Sequence, residues 1–182
     1  MRIFWILLAL VAGTSFVVIS QTGIGRLAYA RNTNGIAAPQ CLREHLSLKE
    51  GNTDAAMGGV RATDFVLTNA SSSACTLNGY PRVELLDRRG RVRRRAVSSA
   101  QLPGDTQKMP PQLVTLAPGN TAWFRIYYNV GGAGHIGKPC PTYPRLKIVA
   151  PGTTRAFGLR SDIQSCPRTE FQVSSLRSGT PQ

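Results

Sequence analysis

Hydrophobic positions fall into two regimes along this chain. Near the start, Ile3 to Ile19 (IFWILLALVAGTSFVVI) is apolar and uncharged. Beyond it, apolar residues recur at every second position over short stretches, and Gly, Pro, Asn and Ser interrupt them often. A period of two is the mark of a half-buried strand. Thr121 to Asn129 (TAWFRIYYN) shows it best: Ala122, Phe124, Ile126 and Tyr128 alternate with Trp123, Arg125 and Tyr127. The same pattern predicts a strand over Cys41 to Leu48, with Leu42, Leu46 and Leu48 on one side. Arg61 to Asn69 follows, with Phe65 and Leu67 together. Arg82 to Asp87 and Arg91 to Val97 flank a turn, and Leu113 to Ala117 precedes Pro118-Gly119. Arg145 to Ala150 and Arg155 to Leu159 bracket Pro151-Gly152, and Glu170 to Leu176 comes last. No long 3.6-residue period occurs after the first apolar run, so no substantial helix is expected. Seven to nine short strands in one domain predict an all-β, Ig-like two-sheet antiparallel β-sandwich.

The first apolar run addresses compartment. Met1-Arg2 is a minimal positive start, and Ala28-Tyr29-Ala30 offers the small-x-small pattern that signal peptidase requires. A signal peptide over residues 1–30 is expected, cut after Ala30. The alternative is an uncleaved inner-membrane anchor over residues 3–25, since about 20 apolar residues cross a bilayer. Gln21, Thr22, Gly23 and Gly25 dilute its second part. Cys41 follows Ala-Pro-Gln and does not resemble a lipid-attachment site. Residues 31–39 form a loose segment, 40–177 the sandwich domain and 178–182 a loose end. The expected location is secreted or periplasmic.

Export changes the meaning of the cysteines. Cys41, Cys75, Cys140 and Cys166 all lie in the exported part, and an even count there favours disulfides. Their wide spacing lacks the close ligand pairs of a zinc site. If the first two strands pair antiparallel, the start of one meets the end of the other, which joins Cys41 to Cys75. The Pro151-Gly152 hairpin likewise brings Cys140 to Cys166. Cys75–Cys140 is the second choice.

The stretch Thr68 to Asp87 (TNASSSACTLNGYPRVELLD) is similar to the T-N-x-S-x-x-x-C-x-L-x-G-Y-P block of a secreted bacterial family called domain of unknown function 4232. Val114 to Ile126 (VTLAPGNTAWFRI) resembles that family's second block, a hydrophobic L-x-P-G turn entering a strand. The likeness covers about Cys41 to Leu176. It implies an exported Ig-like sandwich, and it implies no activity. The arginine-rich hairpin is not part of the shared pattern.

Charge is the remaining signal. The exported part carries 20 basic side chains (the chain's 22 less Arg2 and Arg26) against 9 acidic ones. Six arginines crowd LLDRRGRVRRRAV: Arg88, Arg89, Arg91, Arg93, Arg94 and Arg95. Asp87-Arg88-Arg89-Gly90 makes a good turn, with Asp accepting a backbone hydrogen bond and Gly tolerating positive φ. Past it, Arg91, Arg93 and Arg95 point one way, and Val92, Arg94 and Ala96 the other. Arginine on both faces suits an edge strand protected against further pairing. The same cluster also suits an anion-binding ridge with salt-sensitive affinity. An exported protein meets lipid headgroups, wall polymers, glycans or protein partners rather than genomic DNA, so no nucleic-acid partner is expected. Membrane contact is expected only through an uncleaved first segment. A second candidate surface is Trp123, Arg125 and Tyr127, an aromatic platform suited to a sugar or a peptide. Its alternative is burial or cross-strand aromatic pairing.

Catalytic chemistry finds little support. Gly132 to Lys138 (GAGHIGK) matches a phosphate loop, but Pro139 stands where Ser or Thr should bind magnesium and begin a helix. No G-x-S-x-G elbow occurs. Paired cysteines leave no thiolate for a Cys–His nucleophile. His45 and His135 are far apart in sequence and distant from Met57 and Met109. The expectation is a non-catalytic module of the cell envelope without cofactor. Its basic hairpin would face an anionic surface or polymer, or else the domain is purely structural and has no anion-binding role.

Overall fold

A computed structural model describes residues 37–103, 106–131 and 139–181. The apolar first segment and its cleavage site lie outside the described residues, as do Gly132 to Lys138 with His135. Among the described residues twelve strands run in order: β1 (Leu46–Ala56), β2 (Val60–Asn69), β3 (Cys75–Leu77), β4 (Arg82–Leu86), β5 (Val92–Arg95), β6 (Val97–Ser98), β7 (Val114–Leu116), β8 (Thr121–Asn129), β9 (Thr142–Val149), β10 (Phe157–Gln164), β11 (Phe171–Val173) and β12 (Arg177–Ser178). The helical elements among the described residues are two three-residue 3-10 turns. None is long and apolar enough to cross a membrane.

The strands form two main sheets. One runs β1-β2-β8-β11-β6, with β12 also on β8; the other runs β10-β9-β4-β5, and β3 pairs β7 separately. The inner faces follow the two-residue period. Phe65 and Leu67 of β2 meet Phe124 and Ala122 of β8 directly across the ladder, and all four are sealed from solvent. The Phe65 and Phe124 rings stack at 5.3 Å. From the other sheet, Val83 opposes Ile148 and Leu85 opposes Leu146, again fully buried. These side chains join in one core cluster. Each of them larger than alanine contributes roughly 1.5–3 kcal/mol by leaving water. The all-β sandwich expected from periodicity is the structure's architecture.

Three features depart from the sequence reading. Leu42 is 52% exposed and does not share a face with Leu46. Backbone pairing of Cys41 N–H to the Thr76 carbonyl, with the Cys41–Cys75 bridge, draws this segment to β3. A turn at Arg43–His45 must then redirect the chain, so the strand starts at Leu46. Second, the pairs are not all antiparallel: β6 runs parallel to β11. The chain leaves β5 at Ala96, whose N–H still bonds Val83, and enters the other sheet at Val97. Third, residues 178–182 are not wholly loose. Ser178 pairs with Ala122, and Thr121 exchanges hydrogen bonds with Gly179.

Both disulfides join the ends of paired strands, Cys41 to Cys75 and Cys140 to Cys166, with Cα atoms 4.8 and 4.5 Å apart. No free cysteine remains. Such bridges belong to an oxidising compartment.

Candidate basic face

The hairpin between β4 and β5 is built by Asp87. Its carbonyl accepts from Gly90 N–H at 2.9 Å, and its Oδ1 accepts from Arg89 N–H and Arg91 N–H. Gly90 adopts φ +76°, which closes a three-residue loop at no steric cost. Oδ2 accepts from Arg91 Nε at 2.9 Å. The backbone hydrogen bonds first, and then the Arg91 side chain, hold the Asp87 carboxyl below the usual carboxylate range.

The six arginines divide into three kinds. Arg94 turns inward, opposite the buried Leu85; a register shift beyond it sets Val92 opposite Leu86 on the outer face. It donates to Ser165 Oγ, to the Cys166 carbonyl at 2.6 Å and to the Thr169 carbonyl at 2.5 Å, and lies over the Phe171 ring. Burial pushes its guanidinium down from the ordinary value. This side chain pins the edge strand to the Cys140–Cys166 loop and is not a ridge residue. Arg91 and Arg95 are committed to Asp87 and Glu84. Arg88, Arg89 and Arg93 are exposed, and among the described residues no carboxylate pairs with them.

The hairpin extends onto the outer face of the four-stranded sheet, where register sets two rows. In one, Arg160 of β10 stands opposite Arg145 of β9, which faces Leu86 of β4 and then Val92 of β5. In the next, Gly158 stands opposite Lys147, then Glu84, then Arg95. The second row is balanced. Glu84, 7% exposed at its side chain, takes Arg95 at 3.0 Å and Lys147 at 3.3 Å. Burial opposes its ionisation, but those two partners outweigh it and hold the carboxyl below the usual range. The first row has no acid. A groove of about 430 Å³ is lined on this face by Leu86, Arg145, Lys147, Gly158 and Arg160. Gly90 lines its end, with Arg145 Nη1 3.9 Å from where a Cβ would stand. Arg145, Lys147 and Arg160 escaped the sequence reading. Alternation in TYPRLKIV and FGLR could have turned them outward, but only the cross-strand register brings them together.

The aromatic platform is dismantled by the structure. Tyr127 is 8% exposed, because Leu102 closes over it and Ala62. Arg125 lies opposite Asp64 and binds it by two hydrogen bonds of 2.5 and 2.7 Å. Hydrogen bonding to Asp64 holds the Arg125 guanidinium above its ordinary value. Trp123 is half-buried, with Arg125 and Arg177 over its ring. These three residues make a strut of the six-stranded sheet. His45 is exposed at the turn before β1. Among the described residues no three His, Cys, Asp or Glu side chains gather as metal ligands.

Residues 41–180 match the model of the family described as Domain of unknown function (DUF4232), and the chain belongs to that family. No match was found among curated proteins.

Proposed function

We propose that this is an exported, non-catalytic binding module of the cell envelope, held to an anionic polymer or lipid surface by the outer face of its four-stranded sheet. The observation that carries this reading is the set of unmatched guanidinium groups at the hairpin tip and on the adjoining face: Arg88, Arg89, Arg93, Arg145 and Arg160. A field of one sign concentrates anions and speeds their capture. What gathers there is charge around an open groove, not a nucleophile with its base, so binding suits it better than turnover. The apolar first segment and two disulfides support export to a secreted or periplasmic location, or anchorage by residues 3–25.

A purely structural role is the competing reading, favoured by Arg94, whose three hydrogen bonds stay within the domain. The two readings part on a triple variant, Arg88→Ser, Arg89→Ser and Arg93→Ser. Wild type should be retained on phosphatidylglycerol vesicles or anionic wall polymer at low salt and released steeply as salt rises. The variant should keep its melting temperature and lose most of that retention. Equal retention of both proteins would sink the binding reading.

A further inference from the structure

The geometry points to a discrete phosphate-binding site within the groove, formed by the acid-free pair Arg145 and Arg160, with Lys147, already held by Glu84, at its edge. This deepens the anionic-surface reading and rests on it for the biological source of the ligand, but the site itself stands on separate observations. Arg160 and Arg145 are partners directly across an antiparallel ladder. Side chains so placed share a face with Cβ atoms about 5 Å apart, and like charges there repel. Among the described residues no carboxylate forms an ion pair with either arginine. One step along the same strands, Lys147 faces Gly158. A Cβ on Gly158 would meet nothing within 4 Å, so the position is open space.

The neighbouring row shows what such an arrangement lacks. There Glu84 stands between Arg95 and Lys147 and draws both in. Where Glu84 supplies a buried carboxylate to the second row, the first row supplies none, and Gly158 beside it carries no side chain. Two guanidinium forks on one face offer paired N–H donors of the kind that phosphoryl oxygens accept. Leu86 in the groove lining gives an apolar rest for the carbon skeleton of a phosphate ester. The ligand class is therefore a phosphate monoester or diester bound by its phosphoryl oxygens.

The test uses the full chain and inorganic phosphate, with chloride at equal ionic strength as reference. At about tenfold excess over its dissociation constant, phosphate should raise the wild-type melting temperature by roughly 4 °C. Gly158→Glu places an internal carboxylate beside Arg160 and opposite Lys147. It should melt higher than wild type in chloride and show no further rise with phosphate. Arg145→Gln, an exposed change, should also abolish the phosphate response, and it decides the matter if the glutamate variant does not fold. A phosphate shift equal in wild type and Arg145→Gln, or no phosphate shift at all, would overturn the site. Glycerol phosphate and phosphatidylglycerol vesicles, each against wild type and Arg145→Gln, separate a soluble or polymeric ester from a lipid headgroup. If wild type lacks the phosphate shift but still needs Arg88, Arg89 and Arg93 to hold vesicles, the site fails and the surface reading survives. If the phosphate shift persists without hairpin-dependent retention, the surface reading fails and the site survives.

Discussion

Two cross-strand pairs show how differently one residue type is used on the two sheets. On the six-stranded sheet, Asp64 of β2 lies directly opposite Arg125 of β8, and the two close into a bidentate ion pair with Asp64 only 2% exposed. On the four-stranded sheet, Arg145 of β9 lies directly opposite Arg160 of β10, and both stay in solvent. The ladder geometry is the same. A carboxylate across the ladder turns arginine into structure, and an arginine across it leaves two charges to be satisfied from outside. The covered face builds stability and the open face holds potential.

The comparison breaks most visibly at Asp64. Asp64→Ala would leave the half-buried Arg125 without its main acceptor, and removing one partner of a buried pair costs about 3–5 kcal/mol. Arg145→Ala on the other sheet should cost less than about 0.5 kcal/mol, because an exposed side chain with no partner takes nothing with it. Urea unfolding of both variants measures the contrast. Equal losses would mean that burial, not the charge across the ladder, separates the two faces.

A smaller effect tests the same rule inside the hairpin. Arg94→Ala loses three hydrogen bonds to Ser165, Cys166 and Thr169 and should destabilise by about 2 kcal/mol. Its neighbour Arg93→Ala should change stability by less than about 0.5 kcal/mol. Thermal unfolding of the two single variants checks it. Similar values would show that Arg94 is as solvated as the rest of the run.

The legibility of these residues in the sequence follows what each depends on. Alternation alone placed Phe124 and Ile126 inward, since a strand's period is local. It also separated Arg94 from Arg93 by parity, and Asp87 with Gly90 announced the turn. The cysteine pairs followed from antiparallel strand ends, which is topology one step removed. Tyr127 was beyond reach, because the residue that covers it, Leu102, comes from a loop 25 positions earlier in the chain. Leu42 misled because its period matched Leu46, while the backbone pairing of Cys41 to Thr76 overrode it. The groove was equally hidden: Arg145, Arg160, Lys147 and Glu84 meet only through the register of three strands.

Glu84 offers a sharper test of balance on the open face. Glu84→Gln keeps the shape and removes the charge that holds Arg95 and Lys147. The cost at neutral pH should be about 1 kcal/mol, since both cations are largely exposed and screened. The sign with pH is fixed by the carboxyl's lowered folded value. Its contribution is present above the unfolded value and is lost as pH falls through the folded one. The difference between wild type and variant should hold steady from pH 7 to about 5.5 and close in acid, near and below the ordinary carboxylate range. A gap that persisted at pH 3 would assign the loss to packing. The variant should also bind anionic vesicles more tightly, with two cations released.

The smallest effect comes from converting one face into the other. Arg145→Glu would set a carboxylate opposite Arg160 and reproduce in solvent the arrangement that Asp64 and Arg125 have under cover. Two changes act together. The like-charge repulsion across β9 and β10 disappears, and an exposed ion pair takes its place, so the gain should be about 0.5 kcal/mol. Salt separates this from any packing effect. The Debye length shortens from about 10 Å at 0.1 M to about 3 Å at 1 M, so the gain should shrink severalfold over that range. Arg145→Gln, which removes the repulsion without adding attraction, should fall between wild type and the glutamate variant. If Arg145→Glu is less stable than Arg145→Gln at low salt, the two side chains do not share the face that their register requires. The groove would then have to be redrawn around Arg160 and Lys147 alone.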